Sequence, residues 1–333
     1  MELHKLEPGK GAWNTPAFPV PKKVPGTYRL VQDLRPQNAA TVKDGHPLPR
    51  INDMIHRQGK NSIWTVLDLV DGFHQMPLKK EHRPITCMST PRGSMQWTVQ
   101  VMGLKNAATQ FQRMMEWVVR DLPHTDPYID DSITGSDGPT LEETLWNNYH
   151  DVRAQLLAYQ EEKVVCSWEK SHFFQEEVIF CGHVLRQGRR SPAPGKLLPI
   201  QMWELPGTVT ELRGFLGLTN YFSEYVEHYA DTAALLMGKL QLNRQDGKKG
   251  SKLRLIWTDA EIQAFESLKK KLCQNLELWQ PNPDQPFRLH CDASDFAIGA
   301  ELAQEIDGVW RPVAFYSRKL AKSQKKLSPP GKG

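Results

Sequence analysis

No stretch of the 333-residue sequence is apolar for long enough to cross a bilayer, and no segment resembles a signal peptide. An intracellular protein, in cytoplasm or nucleus, with no membrane partner is the expectation. Cysteine is scarce. Cys87, Cys166, Cys181, Cys273 and Cys291 are odd in number, widely scattered and without a Cys-x-x-Cys pair. That argues against a disulfide framework and a zinc site, and suits a reducing compartment. An excess of one charge is also lacking. The net charge of +4 permits a nucleic-acid partner without demanding one, because a binding groove needs local basic density rather than a large total. With 39% hydrophobic and 24% charged residues the composition is ordinary for a globular chain, with room for two or three domains.

Against that plain background one stretch stands out, Tyr128-Ile129-Asp130-Asp131 followed by Ser132-Ile133-Thr134-Gly135-Ser136. A turn carrying two acids between short extended runs is a natural perch for a divalent cation, which prefers carboxylate oxygens. A bare Asp-Asp in a turn is also a common solvated loop feature, so a third acid matters. Asp68 supplies it near the end of Ile63-Trp64-Thr65-Val66-Leu67-Asp68-Leu69, an apolar, β-branched run that reads as a buried strand. An acid there is costly unless paired or metal-bound. If the two strands are neighbours, Asp68, Asp130 and Asp131 can hold two ions about 3.5–4 Å apart, clamping both oxygens of a phosphoryl transfer. The competing reading makes Asp68 a cap for the turn that follows.

Tyr-Ile-Asp-Asp with its downstream Gly-Ser resembles the Tyr-x-Asp-Asp box of reverse transcriptases. Residues 28–38 look like the fingers motif of that family. Residues 46–51, 67–75 and 103–107, the last leading into Phe111-Gln112, look like the version in gypsy-type LTR retrotransposon Pol polyproteins. The match covers nearly the whole chain, in the family's order. It implies an α+β right-hand polymerase with fingers in 1–62, palm and remaining fingers in 63–190, thumb in 191–240, connection in 241–285 and an incomplete ribonuclease H-like β-sheet in 286–333. It also implies RNA-directed DNA polymerase activity with two Mg²⁺ ions, Mn²⁺ being the possible substitute, on Asp68, Asp130 and Asp131. The implied partners are an RNA or DNA template with primer, and deoxynucleoside triphosphates.

By the same resemblance Lys23 and Arg29 face the triphosphate, where a cation offsets developing charge, and Asp71 contributes backbone contacts to it. Phe73 lies beneath the sugar and excludes a 2′-hydroxyl, although a phenylalanine there also serves as a core anchor. Gln112, off the apolar stripe of its helix, contacts the nucleotide with an amide that both donates and accepts. Tyr128, Gly182, His183 and Arg213 are the implied nucleic-acid contacts, with Arg213 equally readable as a solvated helix residue. Asp292 matches the first metal ligand of a ribonuclease H domain. One carboxylate cannot run two-metal hydrolysis, so no ribonuclease H activity is expected.

Several features depart from the family. Ala108 stands where a proline is usual, Gln110 replaces a small residue and Ser132 replaces an apolar one. Leu122-Pro123-His124-Thr125-Asp126-Pro127 carries two prolines and polar residues where the family has an apolar strand, so no interior strand is expected there and the hairpin should be short or held on one side. These departures support a second reading, an inactive or co-opted remnant that binds nucleic acid or a protein partner without polymerising.

Elsewhere, periodicity predicts helices over 105–120, 142–160 and 257–273. The middle one carries Leu145, Tyr149, Val152, Leu156 and Tyr159 at helical spacing. Thr208 and Glu211 form a capping-box pattern opening a helix through Phe222. Residues 178–185 read as one strand, 243–254 as a linker, and 287–294, 297–303 and 313–320 as three strand-like runs.

Overall fold

The computed structural model describes residues 5–22, 24–245, 254–274, 276–294 and 297–321. It divides into two compact units, Met1–Cys181 and Gly182–Gly333. Lys23, expected at the triphosphate, lies outside the described residues, as does most of the expected linker.

The first unit holds strands β1 (Leu6–Pro8), β2 (Ala17–Pro21) and β3 (Tyr28–Gln32), and helices α1 (Arg35–Ala40) and α2 (Ile51–Gln58). It continues with β4 (Ile63–Asp68), β5 (Met88–Thr90), β6 (Gly93–Trp97), α3 (Ala107–Val118), β7 (Thr125–Tyr128), β8 (Asp131–Ser136), α4 (Leu141–Glu161), β9 (His172–Gln175) and β10 (Glu177–Phe180). Strand β4 is buried on both faces and lies inside the sheet β7-β8-β4-β9. A smaller sheet, β1-β6-β5, and the β2–β3 ribbon accompany it. Phe111, Met115 and Val118 of α3 pack with Leu67, Leu69 and Tyr159 to form the core beneath the sheet.

The 122–127 segment forms no interior strand, as expected: from Thr125 it is a short edge strand, paired among the described residues with β8 alone. The carbonyl of Pro127 points away from β8 and accepts from the Gln112 amide at 2.8 Å. The proline nitrogen faces the same way, so its missing proton costs no ladder bond. Buried Asp126 anchors the strand, accepting from Arg57 Nη2 at 2.6 Å and Gln58 Nε2 at 2.7 Å on α2.

Helix α4 forms as expected, but its apolar residues at helical spacing divide: Val152 and Tyr159 are buried, while Leu145, Tyr149 and Leu156 are exposed, beside exposed Trp146 and Leu157. The face turned to the sheet carries Thr144, Asn148, Val152, Gln155 and Tyr159. It meets the polar face of β8: Gln155 Nε2 donates to Ser132 Oγ at 2.6 Å, Thr134 Oγ1 donates to Gln155 Oε1 at 2.7 Å, and Asn148 Nδ2 donates to Ser136 Oγ at 3.1 Å. Ser132, unusual for the family, is therefore one half of a matched polar seam whose buried groups are satisfied.

The second unit comprises β11 (His183–Arg186), β12 (Arg189–Pro192), α5 (Pro194–Gln201), α6 (Val209–Tyr221), α7 (Tyr229–Gln245), α8 (Asp259–Cys273), β13 (Leu278–Trp279), β14 (Phe287–Ala293), β15 (Ala297–Ile306) and β16 (Val309–Lys319). Phe215, Phe222, Phe265, Leu268, Leu272 and Leu278 form its core. The three expected strand runs form the antiparallel meander β14-β15-β16. The 178–185 run is two strands, because Cys181 and Gly182 adopt left-handed φ of 48° and 85° and break the extension. At α6, Thr208 caps as expected by accepting from Glu211 N at 3.3 Å, but the Glu211 carboxylate turns to Gly207 N. The reciprocal box forms at Thr258 and Glu261 of α8 instead.

Candidate active site

In the antiparallel register of β4 with β8, Asp68 lies directly opposite Asp131. Residues so paired have Cα atoms about 4.5–5.5 Å apart, so sheet geometry alone joins two acids distant in sequence. Tyr128 pairs with Asp131 across the next strand, leaving Ile129 and Asp130 as a two-residue hairpin loop. Such loops need positive φ, which usually selects glycine or asparagine. Here Ile129 takes it, at φ 54°. A β-branched residue in this region stores about 1–3 kcal/mol and persists only where its surroundings hold it.

Gln112 does much of the holding. It is fully buried, its Oε1 accepts from the Ile129 N–H at 2.7 Å, and its amide donates to Pro127 O and to Glu116 Oε1. Sequence reasoning put this residue off the helix stripe and toward the nucleotide; in the structure its amide holds the N-terminal flank of the aspartate turn, on either side of Tyr128. On the other flank, Leu69 N donates to Asp130 O at 3.0 Å, tying the turn to the end of β4.

The Asp130 carboxylate lies against Gly72, in the 3₁₀ turn Gly72–Gln75. A Cβ on Gly72 would sit 2.1 Å from Asp130 Oδ1. Among the described residues that oxygen is buried without a hydrogen-bond partner. Burial first, and then the Asp68 charge, push the Asp130 and Asp131 carboxyls above the ordinary range, with Asp130 adding to the effect on Asp131. Lys170 Nζ stands 3.2 Å from Asp68 Oδ1 and eases the repulsion, as does Arg29 toward Asp130. Among the described residues no three His, Cys, Asp or Glu side chains are gathered tightly enough to hold an ion as they stand. The donor set nevertheless fits a hard divalent cation: the carboxylates are all-oxygen donors, mutually repelling, and one presents an orphaned buried oxygen.

The remaining expected residues fall in varied settings. Arg29 on β3 is exposed, its Nη1 3.5 Å from Met102 Sδ. Phe73 follows Gly72 on the same turn, half-buried, with its ring edge-on to Phe111 at 5.5 Å, so it is a core contact whatever else it does. Asp71 has left-handed φ of 51° and pairs with Lys5. Tyr128 is half-buried, and burial raises its hydroxyl pKa.

In the second unit Gly182 has positive φ. The His183 side chain is only 1% exposed, its ring nitrogens 2.7 Å and 3.3 Å from the Tyr225 and Tyr221 hydroxyls. Burial, and then the Arg190 charge, depress the His183 pKa to about 4, so this ring is a neutral interior group. Arg213 is exposed on α6. Asp292 is exposed on β14, where its Oδ1 accepts from Ala293 N. Sequence reasoning missed Gly72, Lys5 and Lys170. Only Gly72 had a local signal, a glycine directly after Asp71 in the motif.

Two family models match the chain: reverse transcriptase (RNA-dependent DNA polymerase) over residues 20–185, and the RNase H-like domain found in reverse transcriptase over residues 257–332. The Pol polyprotein of the Drosophila melanogaster transposon opus is 34% identical over 330 residues, 96% of this chain and 32% of that protein. The Pol polyprotein of transposon gypsy, from the same organism, is 29% identical, covering 95% and 30%. The chain thus spans about a third of the length of the curated relatives it matches. Among solved structures, the foamy viral protease-reverse transcriptase dRH in complex with double-stranded DNA superimposes with a TM-score of 0.84 at 22% identity, covering 99% of this chain and 56% of that one. The foamy viral enzyme with an RNA/DNA hybrid gives 0.78 at 21%, covering 98% and 42%. At such identity the likeness shows the fold, which is the α+β polymerase class with the start of a ribonuclease H-like sheet. This chain belongs to the reverse transcriptases of retrotransposon Pol polyproteins.

Proposed function

We propose that this chain is an RNA-directed DNA polymerase, extending a primer 3′-hydroxyl with deoxynucleoside triphosphates along an RNA or DNA template. The observation that carries the reading is the pairing of Asp68 with Asp131 beside Asp130 on its braced turn. The hydroxyl oxygen forms a bond to the α-phosphorus, the bond to the bridging oxygen breaks, pyrophosphate leaves and the hydroxyl proton passes to solvent.

Asp68, Asp130 and Asp131 would hold two Mg²⁺ ions, with Mn²⁺ as the possible substitute; when bound, the ions supply positive charge to the attacking and leaving oxygens. Arg29, exposed and close enough to bias Asp130, neutralises triphosphate charge, with Lys23 beside it in sequence order. Phe73 excludes the ribose hydroxyl. Gln112 acts by holding the Tyr128–Asp131 turn in shape, and Asp71 contributes its backbone to the triphosphate. Tyr128, the backbone at Gly182 and His183, and Arg213 contact template–primer. The polymerase regions follow the sequence partition: fingers 1–62, palm 63–190, thumb 191–240, connection 241–285 and ribonuclease H-like segment 286–333, with Asp292 as a lone carboxylate remnant.

The test is primer extension on an RNA template with Mg²⁺ and deoxynucleotides, beside the Asp130→Asn, Asp131→Asn double variant. Extension by the wild type alone supports the reading. Salt-sensitive template–primer binding without extension would refute it in favour of a binding remnant.

A further inference from the structure

Lys5 precedes every stretch that carries the family resemblance, yet its side chain reaches the turn beside the acids. Its ammonium donates to Asp71 Oδ2 at 2.6 Å and lies 3.0 Å from His74 Nδ1. An ammonium has no acceptor, so Nδ1 accepts and the His74 ring carries its proton on Nε2. Only 11% of the Lys5 side chain is exposed, against 45% for Asp71. A strongly hydrated cation withdrawn so far from water, with two partners, differs from the mobile ion pairs of a protein surface. The lysine is itself anchored, its carbonyl accepting from Thr98 N at 2.9 Å and Thr98 Oγ1 at 3.0 Å. His74 stacks on Trp97 at 5.4 Å.

The turn so gripped needs gripping. Asp71 has φ 51°, in the left-handed region, which aspartate tolerates better than most residues but which still has a cost that the Lys5 contact helps to offset. Each side of the turn then has a defined neighbour: Lys5 on Asp71 and His74, Asp130 against Gly72, Phe111 against Phe73.

We propose that Lys5 is a positioning residue of the nucleotide pocket, clamping Asp71 and His74 so that Gly72 bears on Asp130 and Phe73 stays at the sugar edge. This role rests on the polymerase reading above. Without the clamp the turn relaxes, nucleotide binding weakens and the steric test for a 2′-hydroxyl blurs. A merely structural lysine would alter stability while leaving that discrimination intact.

The experiment compares wild type, Lys5→Met, which keeps the stem without the charge, and Lys5→Arg, for dCTP and CTP incorporation on an RNA template–primer with Mg²⁺. Lys5→Met is expected to raise KM for dCTP about tenfold with kcat changed less than about twofold, and to narrow the dCTP-to-CTP ratio of kcat/KM by about tenfold. Lys5→Arg should restore both. In parallel, N-hydroxysuccinimidyl acetate should acylate Lys5 of the wild type more slowly than exposed Lys60, and Asp71→Asn should remove that protection. Lys5 reacting as fast as Lys60 would overturn the clamp. A functioning wild type whose Lys5→Met variant keeps both KM and ratio would overturn the role alone. A wild type that incorporates nothing while Lys5 stays protected would overturn the polymerase reading and the role with it.

Discussion

Gly72→Ala concentrates the logic of the site in one methyl group. The added Cβ would lie 2.1 Å from Asp130 Oδ1 and 2.8 Å from Cγ, whereas ordinary contact begins at 3.4 Å, so carboxylate and backbone must separate by about 1.3 Å. Asp130 has one short side chain to do this with, and retreat takes the carboxylate off the position it shares with Asp68 and Asp131. A displacement of about 1 Å in a reacting constellation costs on the order of a hundredfold in rate. Stability should change little. Gly72 does not need positive φ, and replacing glycine by alanine at a compatible site contributes about 0.4–1 kcal/mol through the unfolded chain, offsetting part of the local strain. The assay is single-turnover incorporation of one deoxynucleotide on pre-bound template–primer, with binding and thermal melting as controls. The expected result is a rate about a hundredfold lower with template–primer affinity unchanged. A rate within about threefold of wild type would refute the assignment of Asp130 to the reacting centre.

Three further predictions probe the supports. Burial and neighbouring carboxylates raise the Asp130 and Asp131 pKa values in the folded state, so protonation favours folding; that contribution is full below the unfolded value near 3.8 and is lost as pH rises through the raised folded values. The Asp130→Asn, Asp131→Asn variant should therefore melt above wild type at neutral pH in EDTA, with the difference shrinking toward the acid end. A lower melting temperature throughout would refute the electrostatic account. Gln112→Leu strands the Ile129 N–H and Pro127 carbonyl at about 1–3 kcal/mol each, and calorimetry should show a lowered melting temperature. An unchanged one would mean that the turn is held by other contacts. Trp146→Gln, on the outward face of α4, should shift stability by no more than about 0.5 kcal/mol while reducing self-association seen by light scattering. A large loss of stability would show that this face is packed after all.

The acids proposed to hold the ions were legible because two of them stand in a short motif, and because the β-branched run from Ile63 to Leu67 reads as a strand. Their convergence was expected from the resemblance, and from the residues only on condition that the strands are neighbours. The facing of Asp68 and Asp131 is a register between strands far apart in sequence, and nothing local to either strand encodes it. Hydrophobic periodicity locates α4 but not the whole of its buried face. There Leu145, Tyr149 and Leu156 face outward, while Thr144, Asn148 and Gln155 join Val152 and Tyr159 inside and meet Ser132, Thr134 and Ser136 at strand spacing.

That complementarity was visible in principle. A polar residue replaced on β8 alone would have left a buried donor or acceptor stranded, so the polar strand face required a polar helix face somewhere within reach. The same reasoning covers Gln112. The fully buried Gln112 amide of α3 is accounted for by the groups it satisfies, the Ile129 N–H and the Pro127 carbonyl beside the strained turn. Residues that touch substrate follow a motif; residues that hold the motif in shape follow from counting the unpaired groups the motif creates.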